Sequence, residues 1–515
     1  MGKFLGGPLG KFVALSMAST FCQITFAEDL DFTFFKNGSA TDATLETQLI
    51  NTFNISTDET KLLRSDEHLK VTTSFLIKKD ETGKNVVAPY EGQEDTKYDS
   101  TALTFETKDR RFGAINLAFW LGKTVDKVKD MGFLATKKME IDVYSHCADM
   151  ANAYFDPKNN RICVGHLFDT LGRNALGGMA SAAMDADVVV HELGHGIFQH
   201  LITMSRGHYF SFGNDMLGAM NEGQADFMAY TVTGATNFAP WMMNLVKEYY
   251  KKKKPRIYDL LKDEKYLRVI NNTYNLSRDS FGEIHDDGRI FAGVLFDLAQ
   301  ALGNDEALKL WLTATSKIHE ASSFYDHGLF VKQADQELNG GKNADAIDQV
   351  FTDRGIFGNK DLVKEDITVQ VKVLDNPLYV NFILKEQLRV NPEFVDQLVA
   401  KLNSNGTLDK GECAPVELTF KNQSDHDLVG LEFFVPTHLL PEGLSSEGQN
   451  RNYLGLVKQG ESMPKKLNVM NLSRPWILLC ANKNNYDVDK TFPVVVKSSA
   501  EGFVKLDLSL KKADE

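Results

Sequence analysis

Apolar and polar positions alternate in different ways along three stretches of the chain. Between residue 28 and about residue 104 the chain is strand-like and polar, and the run Thr72-Thr-Ser-Phe-Leu-Ile77 reads as a strand. Turn signals at Asn37-Gly38 and Asp80-Glu-Thr-Gly83 punctuate this stretch, and Glu91–Lys97 reads as an exposed loop. From 105 to 358 longer helical patterns enter. Ala114–Met131 predicts a helix stopped by Gly132, and Trp241–Tyr250 predicts another. Strands are expected over Lys138–Tyr144 and Arg161–Gly165, the second entered through a turn at Asn159-Asn160. After Gly358 alternation returns in Ile367–Val373, Pro415–Phe420, Leu428–Val435, Trp476–Cys480 and Phe492–Val496, interrupted by a helix from about Pro392 to Leu402. The expected fold class is α+β, with a β-rich N-terminal segment, a mixed central region and a β-sandwich-like C-terminal part. There is no internal repeat.

The first residues change this picture. Lys3 and Lys11 precede a short apolar segment that ends at Thr25-Phe26-Ala27, the pattern of a secretory signal cleaved after Ala27. The expected division is therefore 1–27 signal peptide, 28–104 prosegment or small N-terminal domain, 105–358 central domain and 359–515 accessory domain. No later stretch is long and apolar enough to span a bilayer, so a secreted, periplasmic or cell-surface monomer without a membrane span is expected. A net charge of −13 argues against nucleic-acid binding. Cys147, Cys163, Cys413 and Cys480 remain after the leader, and an even number in an exported chain suits disulfides. Three pairings are open. The grouping favours Cys147–Cys163 and Cys413–Cys480.

Candidate chemistry begins at His191-Glu192-Leu193-Gly194-His195. Helical positions four apart share one face, so both imidazoles can reach one metal ion. Glu192 is rotated about 100° away, beside the coordination sphere, where it can take a proton from water. Five residues with three fixed recur by chance on surface helices, but Val188-Val189-Val190 before the motif and Ile197-Phe198 after it mark this helix for the core. Buried imidazoles without partners are costly, so two of them here call for a ligand. Downstream, Asn221-Glu222-Gly223-Gln224-Ala225-Asp226 offers Glu222 as a third ligand. Asp226, one helical turn further on, suits a hydrogen bond to the outer nitrogen of a liganding histidine. Two imidazoles, a carboxylate and an open position suit Zn²⁺.

His-Glu-x-x-His followed by Asn-Glu-Gly-x-x-Asp resembles the thermolysin and fungalysin families of zinc metallopeptidases. The resemblance covers roughly residues 105–358 in patches, and is closer to fungalysin at its end, where Phe351-Thr-Asp-Arg354-Gly355 is similar to that family's last helix. It implies a two-lobed catalytic domain acting on protein or peptide substrates. It assigns Asn152 and Ala153 to an edge strand that grips the substrate backbone, Arg256 to the substrate carbonyl and Val188 to an apolar pocket. His285, in His285-Asp-Asp-Gly288, would donate to the oxyanion, with Asp279 orienting its other nitrogen. Thermolysin's second oxyanion donor, a tyrosine, has no counterpart at Gly213, and Tyr209 is out of register. Asp187 corresponds to a calcium ligand of thermolysin, but its partners are missing, so it is expected to cap the helix instead.

The reading is an exported zinc endopeptidase in which His191, His195 and Glu222 hold zinc, Glu192 is the general base and His285 assists. The alternatives are a zinc aminopeptidase and a catalytically silent, peptidase-like binding protein. An intact Glu192 argues against the silent form.

Overall fold

The computed structural model describes residues 109–510 apart from 134–138, 140, 173–175, 177–178, 207–214, 320, 383–391, 448–449, 464–475, 483–486, 488 and 490; before 109 it describes short strands between Phe32 and Pro89. The expected signal segment lies outside the described residues.

A mixed six-stranded sheet carries one wall of the site. It runs from Ile55–Asp58 through Lys61–Ser65 and Lys70–Thr72 to β1 (Asp142–Tyr144), then to Arg161–Val164 and last to Ala153–Asp156, its edge. In chain order the last two are β2 (Ala153–Asp156) and β3 (Arg161–Val164), antiparallel neighbours joined by a turn in which Asn160 has φ 51°. The run expected as one strand over Thr72–Ile77 is divided: Thr72 pairs with Tyr144 in this sheet, while Phe75 pairs with Pro89 in a separate hairpin. A strand-like composition suits extended backbone but does not choose the partner. A disulfide joins Cys147 to Cys163 beside β3.

Helix α1 (Arg110–Asp130) starts on an Asp109 cap, which accepts from the Arg111 N–H, and stops just before Gly132 at φ +88°. The functional helices follow: α2 (Ala186–Arg206), α3 (Met216–Thr233) and α4 (Ile284–Leu302). Val188, Val189, Val190, Ile197 and Phe198 are all buried, as the flanks of the histidine motif predicted. Small residues let these helices approach closely. A Cβ on Gly194 of α2 would lie 2.9 Å from the Ala225 Cα of α3, and one on Gly223 of α3 would collide with the Gly288 carbonyl of α4. The glycines of both motifs are therefore packing residues that bring three helices within side-chain reach of one another.

Further helices, α5 (Asn304–Thr315), α6 (Phe324–Asn339) and α7 (Ala344–Asp353), close the region. Arg354 follows α7 and is buried. Its guanidinium bonds Asp297 at 2.6 Å, the Asn272 side chain at 3.0 Å and the Tyr274 carbonyl at 2.9 Å, tying the 272–274 loop to α4.

One titratable side chain of this region is unusually placed. His327 on α6 is fully buried edge-on against Phe291, and neither ring nitrogen has a hydrogen-bond partner among the described residues. Burial lowers its pKa to about 3. The unfolded chain, with histidine near 6.5, binds a proton that the folded chain refuses, so stability is complete above about pH 6.5 and is lost as pH falls toward 3. In guanidinium unfolding, wild type should lose about 1.4 kcal/mol per pH unit relative to His327→Leu below about pH 6. Parallel curves for the two proteins would refute this.

After residue 358 two sheets pack face to face. The first orders β4 (Ile367–Val373), β5 (Cys413–Asn422), then Trp476–Ala481 and Leu444–Glu447. The second orders Arg451–Val457, Leu428–Phe434, Thr491–Lys497 and Val504–Ser509. In chain order these later strands are β6 (Leu428–Phe434), β7 (Leu444–Glu447), β8 (Arg451–Val457), β9 (Trp476–Ala481), β10 (Thr491–Lys497) and β11 (Val504–Ser509). Their alternating apolar residues share one core, in which Phe420 of one sheet stacks on Phe433 of the other at 4.8 Å. Cys413 and Cys480 face each other across β5 and β9 and form a disulfide. The helix expected from Pro392 is Pro392–Val399. Val429, Tyr453 and Leu456 of the second sheet belong to the core of the preceding helical region, so this sheet also buries side chains against the helices.

Candidate metal centre

On α2, His191 and His195 lie on one face with their rings nearly perpendicular and 4.6 Å apart. Glu222 enters from α3. One carboxylate oxygen is 3.4 Å from His191 Nε2 and the other 3.7 Å from His195 Nε2. Tetrahedral zinc with ordinary bond lengths separates its ligand atoms by roughly 3.3 Å, so the three side chains are spaced for one such ion. Among the described residues they are the group of His, Cys, Asp or Glu side chains gathered tightly enough to hold a metal.

Neighbouring side chains orient these three. Asp226 lies one turn beyond Glu222 with Oδ1 2.9 Å from His191 Nδ1. The same oxygen is 2.7 Å from Arg268, whose guanidinium lies over the Phe238 ring at 4.6 Å. Burial would raise the Asp226 carboxyl, but Arg268 and His191 hold it below the usual range. Glu222 is likewise pushed up by burial and brought well below its ordinary value by His285, His191 and His195. His285, in the first turn of α4, places Nε2 3.6 Å from Glu222 and Nδ1 2.8 Å from Glu283. Burial lowers its pKa, and Glu222 and Glu283 outweigh that, raising it to about 9. Glu192 is buried beside the centre. Desolvation lifts its carboxyl to about 7, partly countered by His191, and the Phe155 backbone N–H of β2 donates to it.

The structure redistributes several expected roles. Glu283, not Asp279, meets His285 Nδ1; Asp279 accepts from the Asn275 N–H and from Arg278. Glu283 also caps α4 by accepting from the His285 and Asp286 N–H groups, so one side chain starts the helix and sets the imidazole. Arg256 is exposed on a short helix, Pro255–Leu261, whereas Arg268 is the arginine at the centre. It arrives on a two-residue strand paired with Asn237-Phe238 and carries no motif that could have flagged it. Asp187 does not cap α2. Asp185 accepts the Asp187 N–H, and the Asp187 carboxylate reaches across to Thr233 Oγ1 at 2.8 Å and the Ala239 N–H at 3.1 Å. Ala153 and Asn152 lie at and just before β2, the sheet edge, where the Asn152 carbonyl accepts from the Gly165 N–H. Val188 is buried in α2. Tyr209 and Gly213 lie outside the described residues.

Two histidines four apart on one buried helix, a glutamate from a second helix and a glutamate beside them are arranged so that they could hold one metal ion. Residues 151–360 match the fungalysin metallopeptidase (M36) family, which supports a fungalysin/thermolysin-like zinc metallopeptidase. The matched stretch spans every residue of the centre and ends just beyond Arg354-Gly355. No curated protein matches the chain. Among solved structures, the bacterial hydrophobin BslA aligns at 10% identity over 28% of this chain and 99% of its own, with a TM-score of 0.12. The Pseudomonas fluorescens alkylpurine DNA glycosylase AlkC, bound to DNA containing an abasic site analog, aligns at 10% identity over 62% of this chain and 99% of its own, with a TM-score of 0.09. Neither is close enough to inform fold or function.

Proposed function

We infer that the protein is an exported zinc endopeptidase, with zinc held by His191, His195 and Glu222. The observation that carries this reading is the convergence of those three ligand atoms, within 4.8 Å of one another, beside the buried Glu192. When bound, zinc supplies Lewis acidity and makes water more acidic at neutral pH. Glu192 takes the proton of the attacking water and delivers it to the leaving amine. His285, held by Glu283, donates through Nε2 to the oxygen on which charge develops. The outer edge of β2, from Ala153 onward, receives an extended peptide through its main chain, and Val188 helps to line an apolar pocket. The sheet on one side of α2 and the helices on the other would be the two lobes of a thermolysin-like domain.

Asp226 fixes the tautomer of His191 and raises its basicity as a ligand. Asp226→Asn should therefore weaken zinc about 10- to 100-fold in competition with a chelating dye. Unchanged affinity would remove Asp226 from this role.

No helix among the described residues is long and apolar enough to cross a membrane. Endopeptidase action is tested with a peptide blocked at its N-terminus. Cleavage at an internal bond supports the reading, and turnover restricted to peptides with a free amine would make the enzyme an aminopeptidase.

A further inference from the structure

The C-terminal sheet reaches the helices that carry Glu222 and His285. At α3, Glu432 of β6 accepts the N–H of Met216, the first helical residue, at 3.3 Å, while its other oxygen pairs with Arg451 of β8 at 3.3 Å. At α4 the contact is closer to the chemistry. Tyr453 of β8 is fully buried, with its hydroxyl 3.0 Å from Ser280 Oγ. The Ser280 hydroxyl donates to Asp287 at 2.5 Å, and the Tyr453 hydroxyl also hydrogen-bonds the same carboxylate. Asp287 also accepts from the Phe281 and Gly282 N–H groups, at 2.8 and 3.2 Å. Loop 280–282 is thereby wound around one carboxylate of α4, immediately before the Glu283 that orients His285.

The backbones meet here as well. Gly282 and Gly455 both have φ +73°, and a Cβ on Gly282 would lie 2.6 Å from the Leu454 carbonyl carbon. A Cβ on Gly455 would collide with the Gly282 N. Strand β8 therefore fixes the loop by shape and by a hydrogen bond, three residues before the imidazole.

We propose that Tyr453 is a positioning residue for catalysis, acting through Ser280 and Asp287 to set His285, so that the C-terminal sandwich completes the active site. This rests on the reading of His285 as the donor to the oxyanion. A small misplacement of a reacting group costs one to two orders of magnitude in rate, whereas substrate binding along β2 does not involve this loop.

The test is a double-mutant cycle on the zinc-loaded full chain, with kcat, KM and zinc content measured for each variant. Tyr453→Phe keeps the ring and should lower kcat about tenfold, with KM and zinc content unchanged. In a His285→Ala background the same substitution should have no further effect. Ser280→Ala leaves the sandwich untouched and is read in the same way, so a folding failure of one variant still leaves a decisive measurement. An unchanged kcat with only a lower melting temperature, a change confined to KM, or an equal loss in the His285→Ala background would each overturn the proposal. Full activity in His285→Ala alone would show that the reading of His285 itself is wrong.

Discussion

Glu192→Gln should keep about one equivalent of zinc and lose about 10²- to 10⁴-fold in kcat. The substitution conserves size and hydrogen-bond capacity, so the Phe155 N–H that reaches Glu192 retains an acceptor. The three side chains that converge on the metal position are untouched. What disappears is the ability to accept a proton from water and return it to the amine. Comparing zinc content and casein cleavage in the same preparations separates this from a damaged site. Near-normal kcat with zinc in place would mean that another group is the base.

Glu222→Ala should have the second large effect, and of a different kind. Its carboxylate bridges the two histidines of α2 and faces His285, so it is the negative charge around which three imidazoles are arranged. Two ligands are too few for a catalytic zinc site, which typically has three protein ligands and an open position. Bound zinc should fall well below one equivalent after dialysis, with cleavage lost in proportion. The metal's contribution to stability is lost with it, about 3 to 4 kcal/mol if free zinc exceeds its dissociation constant 100- to 1,000-fold. Thermal unfolding with and without added zinc measures this. A variant that retains zinc and activity would exclude Glu222 as a ligand.

How much of this was readable in the sequence depends on how local each contact is. His191, His195, Glu222 and Asp226 follow from helical periodicity, because each helix presents its pair one turn apart. Their glycines, Gly194 and Gly223, could be seen in the motifs, but their purpose could not: it lies in the crossing of α2, α3 and α4. Glu283 was missed in favour of Asp279 because the cap position of α4 decides which acid faces His285, and helix starts cannot be placed to one residue from pattern. Asp185, not the expected Asp187, accepts at the start of α2 for the same reason. Arg268 has no local signature. It is aimed by a two-residue strand pair and by its own ion pair with Asp226, 42 residues away in sequence.

The C-terminal strands were legible as strands from their alternation, and their shared core follows from it. Their contact with α3 and α4 was not. Tyr453 meets Ser280 across 173 residues and Glu432 meets Met216 across 216. Nothing in the pattern of either segment announces the other. What looks like an appendage by composition is joined to the helices through buried polar groups that depend on one another.

The most direct test of the central claim is a zinc titration of the metal-stripped protein, with casein cleavage read at each addition. Activity should be absent in the stripped protein, rise linearly with zinc and saturate at about one equivalent, with no recovery in Glu222→Ala at the same free zinc. Cleavage that persists without metal, or saturates equally well in Glu222→Ala, would contradict a zinc peptidase built on His191, His195 and Glu222.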